Sequence, residues 1–211
     1  MKKFILLSIL VGFFHQQLSA QSWKYQYGIK LGASVPGYRL SNVSTGTTRE
    51  ASNTLGFSVT GTAEASPSRY FAIQSGLSFQ LLGAQLNYSE FGKTNVRQRT
   101  FWLQVPLNVM AKLPLKDSSN FFIAAGPYGG LGLMGANNFD DSFTGTRTDF
   151  TFGSNGSQKR FDYGVNLNIG YQVKRGYNIA IGYMMGIADL STSTRYQQRN
   201  RAWTVNVGYS F

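Results

Sequence analysis

Apolar and polar residues alternate one by one along most of this chain. Between residues 161 and 173 every odd position is aromatic or aliphatic, whereas the even positions are Asp, Gly, Asn or Gln. Successive side chains of a β-strand point to opposite faces, so this pattern predicts a strand with one apolar and one small polar face. Eight such segments occur, each with its apolar residues at odd numbers: residues 25–37, 54–66, 70–88, 97–115, 120–138, 160–173, 177–190 and 201–211. The fifth is the least regular, and Gly126, Pro127, Gly129 and Gly130 predict a bend or bulge there.

The connections between the predicted strands alternate in length. Tight turns at residues 66–69, 116–119 and 174–176 alternate with long polar loops at 39–53, 89–96, 139–159 and 191–200. This alternation is typical of an up-and-down transmembrane β-barrel. We therefore predict an all-β fold, an eight-stranded antiparallel barrel with both termini on the periplasmic, short-turn side. Residues 139–152 are interpreted as an extracellular extension, and a ten-stranded barrel is the alternative.

A soluble exported barrel of lipocalin type is the main structural rival, because its apolar face would point inward. The polar faces of the predicted strands are mostly Gly, Ser, Asn, Gln and Ala, with few Lys or Glu. Such faces suit a packed, hydrogen-bonded interior better than a surface in water. The composition therefore favours the membrane barrel.

Aromatic residues cluster near the ends of the predicted strands. Amphipathic rings favour the membrane–water interface, so two aromatic girdles are expected. The periplasmic girdle would contain Trp23, Tyr25, Phe71, Phe121, Tyr171, Tyr177, Tyr209 and Phe211, and the outer girdle Phe101, Phe161, Tyr163 and Trp203.

The N-terminal residues differ from the rest of the chain. Lys2 and Lys3 precede an apolar run at 4–14, which is too short to span a bilayer, and Ala20 ends a small-residue cleavage site. We expect residues 1–20 to be a signal peptide and residues 21–211 to be the barrel domain. The mature chain then carries 18 basic and 9 acidic residues, a formal charge of +9. Anionic lipid headgroups are the expected neighbours, and nucleic acid is not expected.

The chain contains few residues of the types that usually carry out catalysis. The chain has no Cys, and its single His, His15, lies in the predicted signal peptide. His is the commonest general base and metal ligand, so no enzyme activity, cofactor or metal is expected. Asp140, Asp141 and Asp149 cluster in the third long loop, where we interpret them as a solvated acidic loop rather than a cation site.

A few charged residues fall on the predicted inward face. Lys30, Glu64 and Lys112 would lie near the periplasmic end, and Asp162 near the outer end. The interior of an eight-stranded barrel is just wide enough for side chains to fill, so we expect a plugged lumen. Buried charges need partners, and we expect Glu64 to pair with Lys30, with Lys112 joining through the lumen. A gated ion path through these residues is the alternative.

Basic residues also lie at or just beyond the outer strand ends. Arginine suits bidentate recognition of phosphate, so contact with lipopolysaccharide phosphates is one interpretation and a generally basic surface is the other. The candidates, all expected to point outward, are Arg39, Arg97, Arg99, Lys159, Arg199 and Arg201.

Four short motifs resemble a known family. They are Gly28-Ile29-Lys30-Leu31-Gly32, Leu103-Gln104-Val105-Pro106-Leu107, Gly126-Pro127-Tyr128 and the ending Gly208-Tyr209-Ser210-Phe211. The chain resembles the outer-membrane β-barrel proteins of Bacteroidetes called the PorT-like or "porin family" group. The resemblance implies a barrel in the outer membrane of a Gram-negative bacterium, without a general activity. It also implies that Tyr209 and Phe211 form an assembly signal for the barrel-insertion machinery.

Three functions remain open at this point. The first is a non-enzymatic outer-membrane protein that acts through membrane anchoring and extracellular-loop interactions. The second is a transport or secretion component, either a narrow channel or a translocon partner. The third, which the missing His disfavours, is a lipid-active enzyme.

Overall fold

The computed structural model describes residues 23–88, 94–140, 147–154 and 156–211, and this part of the chain is built from strands. No helix in these ranges is long and apolar enough to cross a membrane. The ten strands are β1 (Lys24–Asn42), β2 (Thr48–Glu50), β3 (Gly56–Ser66), β4 (Phe71–Tyr88), β5 (Thr94–Pro114), β6 (Asn120–Asp140), β7 (Arg147–Phe150), β8 (Phe161–Gln172), β9 (Tyr177–Gly186) and β10 (Tyr196–Ser210).

Eight of these strands close into a ring. β1, β3, β4, β5, β6, β8, β9 and β10 pair antiparallel in this order, and β10 pairs back onto β1 from Gly28↔Ser210 to Asn42↔Tyr196. Strands β2 and β7 lie off the ring, where they pair with β1 and β6. The predicted eight-stranded, up-and-down barrel is therefore confirmed, and the ten-stranded ring is wrong.

The odd-numbered apolar residues point out of the ring. Ile29 and Leu31 on β1 are 55% and 54% exposed, whereas the neighbouring even positions Gly28 and Ser34 are buried. Paired residues on adjacent strands share a face, so the same parity holds around most of the barrel. The apolar belt thus lies outside, the opposite of a lipocalin-type barrel.

Four strands of the ring are much longer than a membrane crossing requires. β1, β4, β5 and β6 contain 19, 18, 21 and 21 residues and β10 contains 15, whereas β8 and β9 contain 12 and 10. Since about 9–11 tilted residues cross a membrane, the longer strands project on one side at the end that carries the long loops. β7 pairs with Gly135–Asn138 of β6, which agrees with the predicted extension, although residues 141–146 lie outside the described residues.

Several predicted boundaries at this end are wrong. β1 continues to Asn42 and β10 begins at Tyr196, so much of two predicted loops is paired strand. The polar residues there carry no alternation, because both strand faces can be polar once the chain leaves the membrane. In contrast, β9 stops at Gly186 instead of reaching residue 190, and Ala188 and Leu190 turn into the lumen, where both are buried.

The irregularity predicted for the fifth segment lies elsewhere. The ladder between β5 and β6 keeps one register past Gly126 and Gly130, and shifts only where Phe101 and Trp102 pair with Met134 and Gly132. Beside this bulge Gly132 makes room for one aromatic ring, because a Cβ there would overlap the ring of Phe152. The predicted bulge at 126–130 is therefore absent, although Gly126 and Pro127 lack ladder pairs with β5.

Glycines inside the ladder are nevertheless structurally required at some positions. We expect Gly126→Ala to lower the free energy of unfolding by about 1–3 kcal/mol, because its Cβ would overlap the backbone of Leu107 and Asn108. Gly129→Ala is the matched control, since its Cβ would meet nothing within 4 Å. Its effect should stay within about 0.5 kcal/mol. Urea unfolding in lipid vesicles measures both, and equal effects would contradict the assignment.

Candidate functional site

A buried ion pair lies at the short-turn end of the lumen. Glu64 on β3 pairs with Lys112 on β5, and their side chains are only 7% and 8% exposed. Ser66 Oγ donates to Glu64 Oε1 at 3.0 Å, and Gln74 Nε2 donates to Glu64 Oε2 at 3.3 Å. Both carboxylate oxygens therefore have partners, as a buried charge requires.

Lys30 is connected to this ion pair only through the side-chain amide of Gln74. Its Nζ donates to Gln74 Oε1 at 2.7 Å, and Gln74 in turn contacts Glu64. The predicted direct Glu64–Lys30 pair is therefore wrong, and Lys112 is the direct partner. The register explains the difference, because Lys30 pairs with Thr60, four residues along β3 from Glu64.

Asp162 belongs to a different part of the lumen. It is buried on β8 and accepts hydrogen bonds from Tyr128 Oη at 3.1 Å and from Asn200 Nδ2 at 2.8 Å. The four predicted interior charges thus divide into two groups. Lys30, Glu64 and Lys112 form a charged layer at the short-turn end, and the Asp162 carboxylate lies apart from it, near the long-loop end.

An apolar plug fills the lumen beside Asp162. The fully buried Trp102 donates from Nε1 to Thr100 Oγ1 at 2.9 Å, and the ring of Phe152 packs edge-on against it at 5.1 Å. Sequence reasoning missed the contributions of Phe152, which lies in a predicted loop, and of Leu190, which was placed at the end of the seventh predicted strand. The sequence offered one signal of an apolar plug, because Trp102 occupies an even, inward-facing position. The plug consists of Leu82, Trp102, Tyr128, Met184, Ala188, Leu190, Ala202 and Phe152.

A polar chamber lies in the lumen between the plug and the charged layer. Its lining includes Met184 of the plug, Lys30 of the layer and Gln74. Its volume of about 90 Å³ is enough for several water molecules. In the described part of the chain Lys30 is the only charged residue of the lining, and the other polar lining side chains include Ser58, Thr60, Thr62, Gln74, Ser78, Gln80, Gln104, Asn108, Asn166, Asn168, Thr204 and Asn206.

The basic residues at the rim divide into separate groups. Arg39 on β1 lies directly opposite Arg199 on β10, and Arg201 forms an ion pair with Glu50 of β2. We call Arg39, Glu50, Arg199 and Arg201 the seam cluster. The hydrogen bond from Arg201 lowers the pKa of the exposed Glu50 carboxyl, which therefore stays ionised at neutral pH. Three guanidinium groups against one carboxylate leave the cluster with two positive charges.

The other three candidates lie away from this seam. Arg97 and Arg99 are exposed on β5, three strands from β1 around the ring. The exposed Lys159 precedes β8, and its Nζ lies 3.8 Å from Asp189 Oδ2. The six residues therefore do not form one continuous ring of positive charge.

Exposed aromatic rings mark the two ends of the barrel wall. At the short-turn end the rings of Tyr177 and Tyr209 lie 5.0 Å apart, and those of Tyr209 and Phe211 lie 6.5 Å apart and stacked. Phe211 also exchanges backbone hydrogen bonds with Tyr27 of β1. Toward the other end Trp203 packs on Tyr183 at 4.7 Å, a partner that the sequence prediction did not include.

Acidic clusters suited to a metal are absent from the described part of the chain. No group of three or more His, Cys, Asp or Glu residues there has a metal-binding arrangement. The side chains of the predicted acidic loop residues Asp140, Asp141 and Asp149 lie outside the described residues.

The profile of one protein family, "Outer membrane protein beta-barrel domain", matches residues 16–192. The chain belongs to this family. This membership assigns the protein to a class of Gram-negative outer-membrane barrels. It does not by itself assign a reaction or a ligand. A search of curated proteins gave no significant match.

Solved outer-membrane proteins are similar at low sequence identity, and of the three named here OprG alone has a TM-score above 0.5 and supports the fold. OprG from Pseudomonas aeruginosa is similar at 12% identity and a TM-score of 0.53, covering 90% of this chain and 97% of that one. Neisserial surface protein A is similar at 13% identity and a TM-score of 0.46, covering 88% and 97%. Ail of Yersinia pestis is similar at 13% identity and a TM-score of 0.42, covering 89% and 99%.

The buried ion pair gives a direct stability test. We expect Glu64→Gln to lower the free energy of unfolding by roughly 3–5 kcal/mol, because it leaves the Lys112 ammonium buried without its partner. The double variant Glu64→Gln/Lys112→Met should recover much of this loss. Lys159→Met, which removes the exposed partner of Asp189, is the control and should cost no more than about 1 kcal/mol. Unfolding in lipid vesicles measures all three, and a Glu64→Gln protein of unchanged stability would contradict the pairing.

Proposed function

We propose that this protein is a non-enzymatic, integral outer-membrane barrel that acts through membrane anchoring and through interactions of its extracellular loops. The combination of an apolar outer wall and an occluded lumen carries this proposal. Ile29 and Leu31 illustrate the wall, which suits contact with lipid chains. The Glu64–Lys112 layer and the Trp102 plug occupy the two ends of the interior.

The longer strands support a role at the outer surface. β1, β4, β5 and β6 project beyond the length that a bilayer needs, on the side that bears the long loops. In this proposal the projecting strands hold the loops away from the membrane. Residues 1–20 act as a signal peptide removed after Ala20, and the resembling motifs favour a PorT-like protein of Bacteroidetes.

The seam cluster is the proposed contact for lipopolysaccharide phosphates. Arg39 and Arg199 face each other across adjacent strands, and only one carboxylate, Glu50, offsets the three guanidinium groups. Guanidinium groups bind phosphate oxygens in a bidentate manner, so two adjacent arginines suit one lipid phosphate. Arg97 and Arg99 on β5 provide a second, separate contact on the other side of the barrel.

Lipopolysaccharide retention tests this proposal. We expect Arg39→Gln/Arg199→Gln to reduce the lipopolysaccharide that copurifies with the barrel to roughly half or less, because two charge-assisted contacts are lost. Arg97→Gln/Arg99→Gln tests the second contact in the same way. The control Lys174→Gln/Arg175→Gln removes the same two charges from the turn between β8 and β9, at the opposite end. Retention that is unchanged in both double variants would refute the specific contact.

The second candidate function is a narrow channel or another transport or secretion component. The polar chamber beneath the plug is the observation that favours it. Planar-bilayer recording separates the two functions. We expect no single-channel steps from the unmodified protein or from Glu64→Gln, since Trp102 and its neighbours still fill the lumen. Discrete steps, with a conductance that Glu64→Gln alters, would favour the channel instead.

A further inference from the structure

The chamber in the lumen carries a positive charge without a direct anionic partner. Among the described residues Lys30 is the only charged one that lines the chamber, and its ammonium group makes one hydrogen bond to them, to Gln74 Oε1 at 2.7 Å. An ammonium group has three N–H donors. Lys30 forms no ion pair with any described residue, so two donors are free to bind something in the chamber.

The nearest carboxylate is already occupied. Glu64 pairs with Lys112 and also accepts from Ser66 and Gln74. Two ammonium groups and one carboxylate therefore leave this buried layer with a net charge of +1. Burying an uncompensated charge is costly, which favours a counterion close to Lys30.

The walls around Lys30 provide groups that can complete an anion site. In the ladder Lys30 lies between Thr60 of β3 and Gly208 of β10. The hydroxyl groups of Thr60 and Ser78 lie 2.7 Å apart, and Thr62 also lines the chamber. Hydroxyl groups rotate and can donate to an anion. A Cβ on Gly208 would come within 2.8 Å of Lys30 Cγ, so this glycine makes room for the lysine stem.

We propose that the chamber binds a small monovalent inorganic anion, such as chloride, between Lys30 Nζ and the hydroxyl groups of β3 and β4. One negative charge neutralises the layer, whereas a divalent anion would reverse its sign. The chamber's volume of about 90 Å³ admits such an ion together with water. This site is independent of the proposed lipid contacts, which lie on the outer surface of the barrel.

Anion-dependent stability tests the site in solution. An anion that binds only the folded barrel raises its stability as the concentration rises. In lipid vesicles we expect a higher unfolding midpoint in sodium chloride or bromide than in sodium gluconate at equal ionic strength. Lys30→Met should weaken the apparent chloride affinity by roughly tenfold or more, since it removes the charged donor. Lys159→Met removes an exposed lysine and should keep the full chloride response.

Two further measurements keep the proposal testable if Lys30→Met fails to fold. Thr62→Val retains the charge but removes a hydroxyl group from the chamber wall, and it should reduce the chloride response. Crystals of the unmodified protein grown in bromide should show an anomalous peak within hydrogen-bond distance of Lys30 Nζ. An equal chloride response in Lys30→Met, or bromide peaks confined to the outer surface, would overturn the proposal.

Discussion

The backbone hydrogen bonds between β1 and β10 are the constraint on which this structure depends. Inside a bilayer no water can satisfy a free strand edge, so the sheet must close. The closing register pairs Gly28 with Ser210, and paired residues point to the same side of the sheet. A slip by one residue would turn every apolar side chain of one strand into the lumen. Closure and the apolar belt are therefore two results of the same register.

A ring of eight strands leaves an interior that side chains must fill. Even positions accordingly hold glycines, amides and hydroxyl groups, and the few charges there need partners. Glu64 meets this demand through Lys112, Ser66 and Gln74. Near the long-loop end an apolar cluster around Trp102 fills the lumen instead. The interior is thus occluded by two different means, with a polar chamber left where packing is incomplete.

The two ends of the barrel differ because their strands differ in length. The short-turn end has tight connections and a dense set of exposed rings, including Tyr177 and Tyr209. The other end carries the projecting strands β1, β4, β5 and β6 and the charged seam, where Arg201 contacts Glu50. Family membership assigns the protein to the outer membrane. The features particular to this chain are the seam cluster at the long-loop end and the charged layer, chamber and plug in the lumen.

The sequence by itself determined that eight strands form the ring, where most of them lie in the chain and which face each strand turns outward. Lipid and lumen impose opposite chemistry on alternate residues, so a local pattern carries this information. Only the tertiary structure decided that Lys112 rather than Lys30 pairs with Glu64, and that Phe152 and Leu190 enter the lumen. These contacts join residues far apart in the chain. They depend on strand register and loop path, which alternation within one strand does not encode.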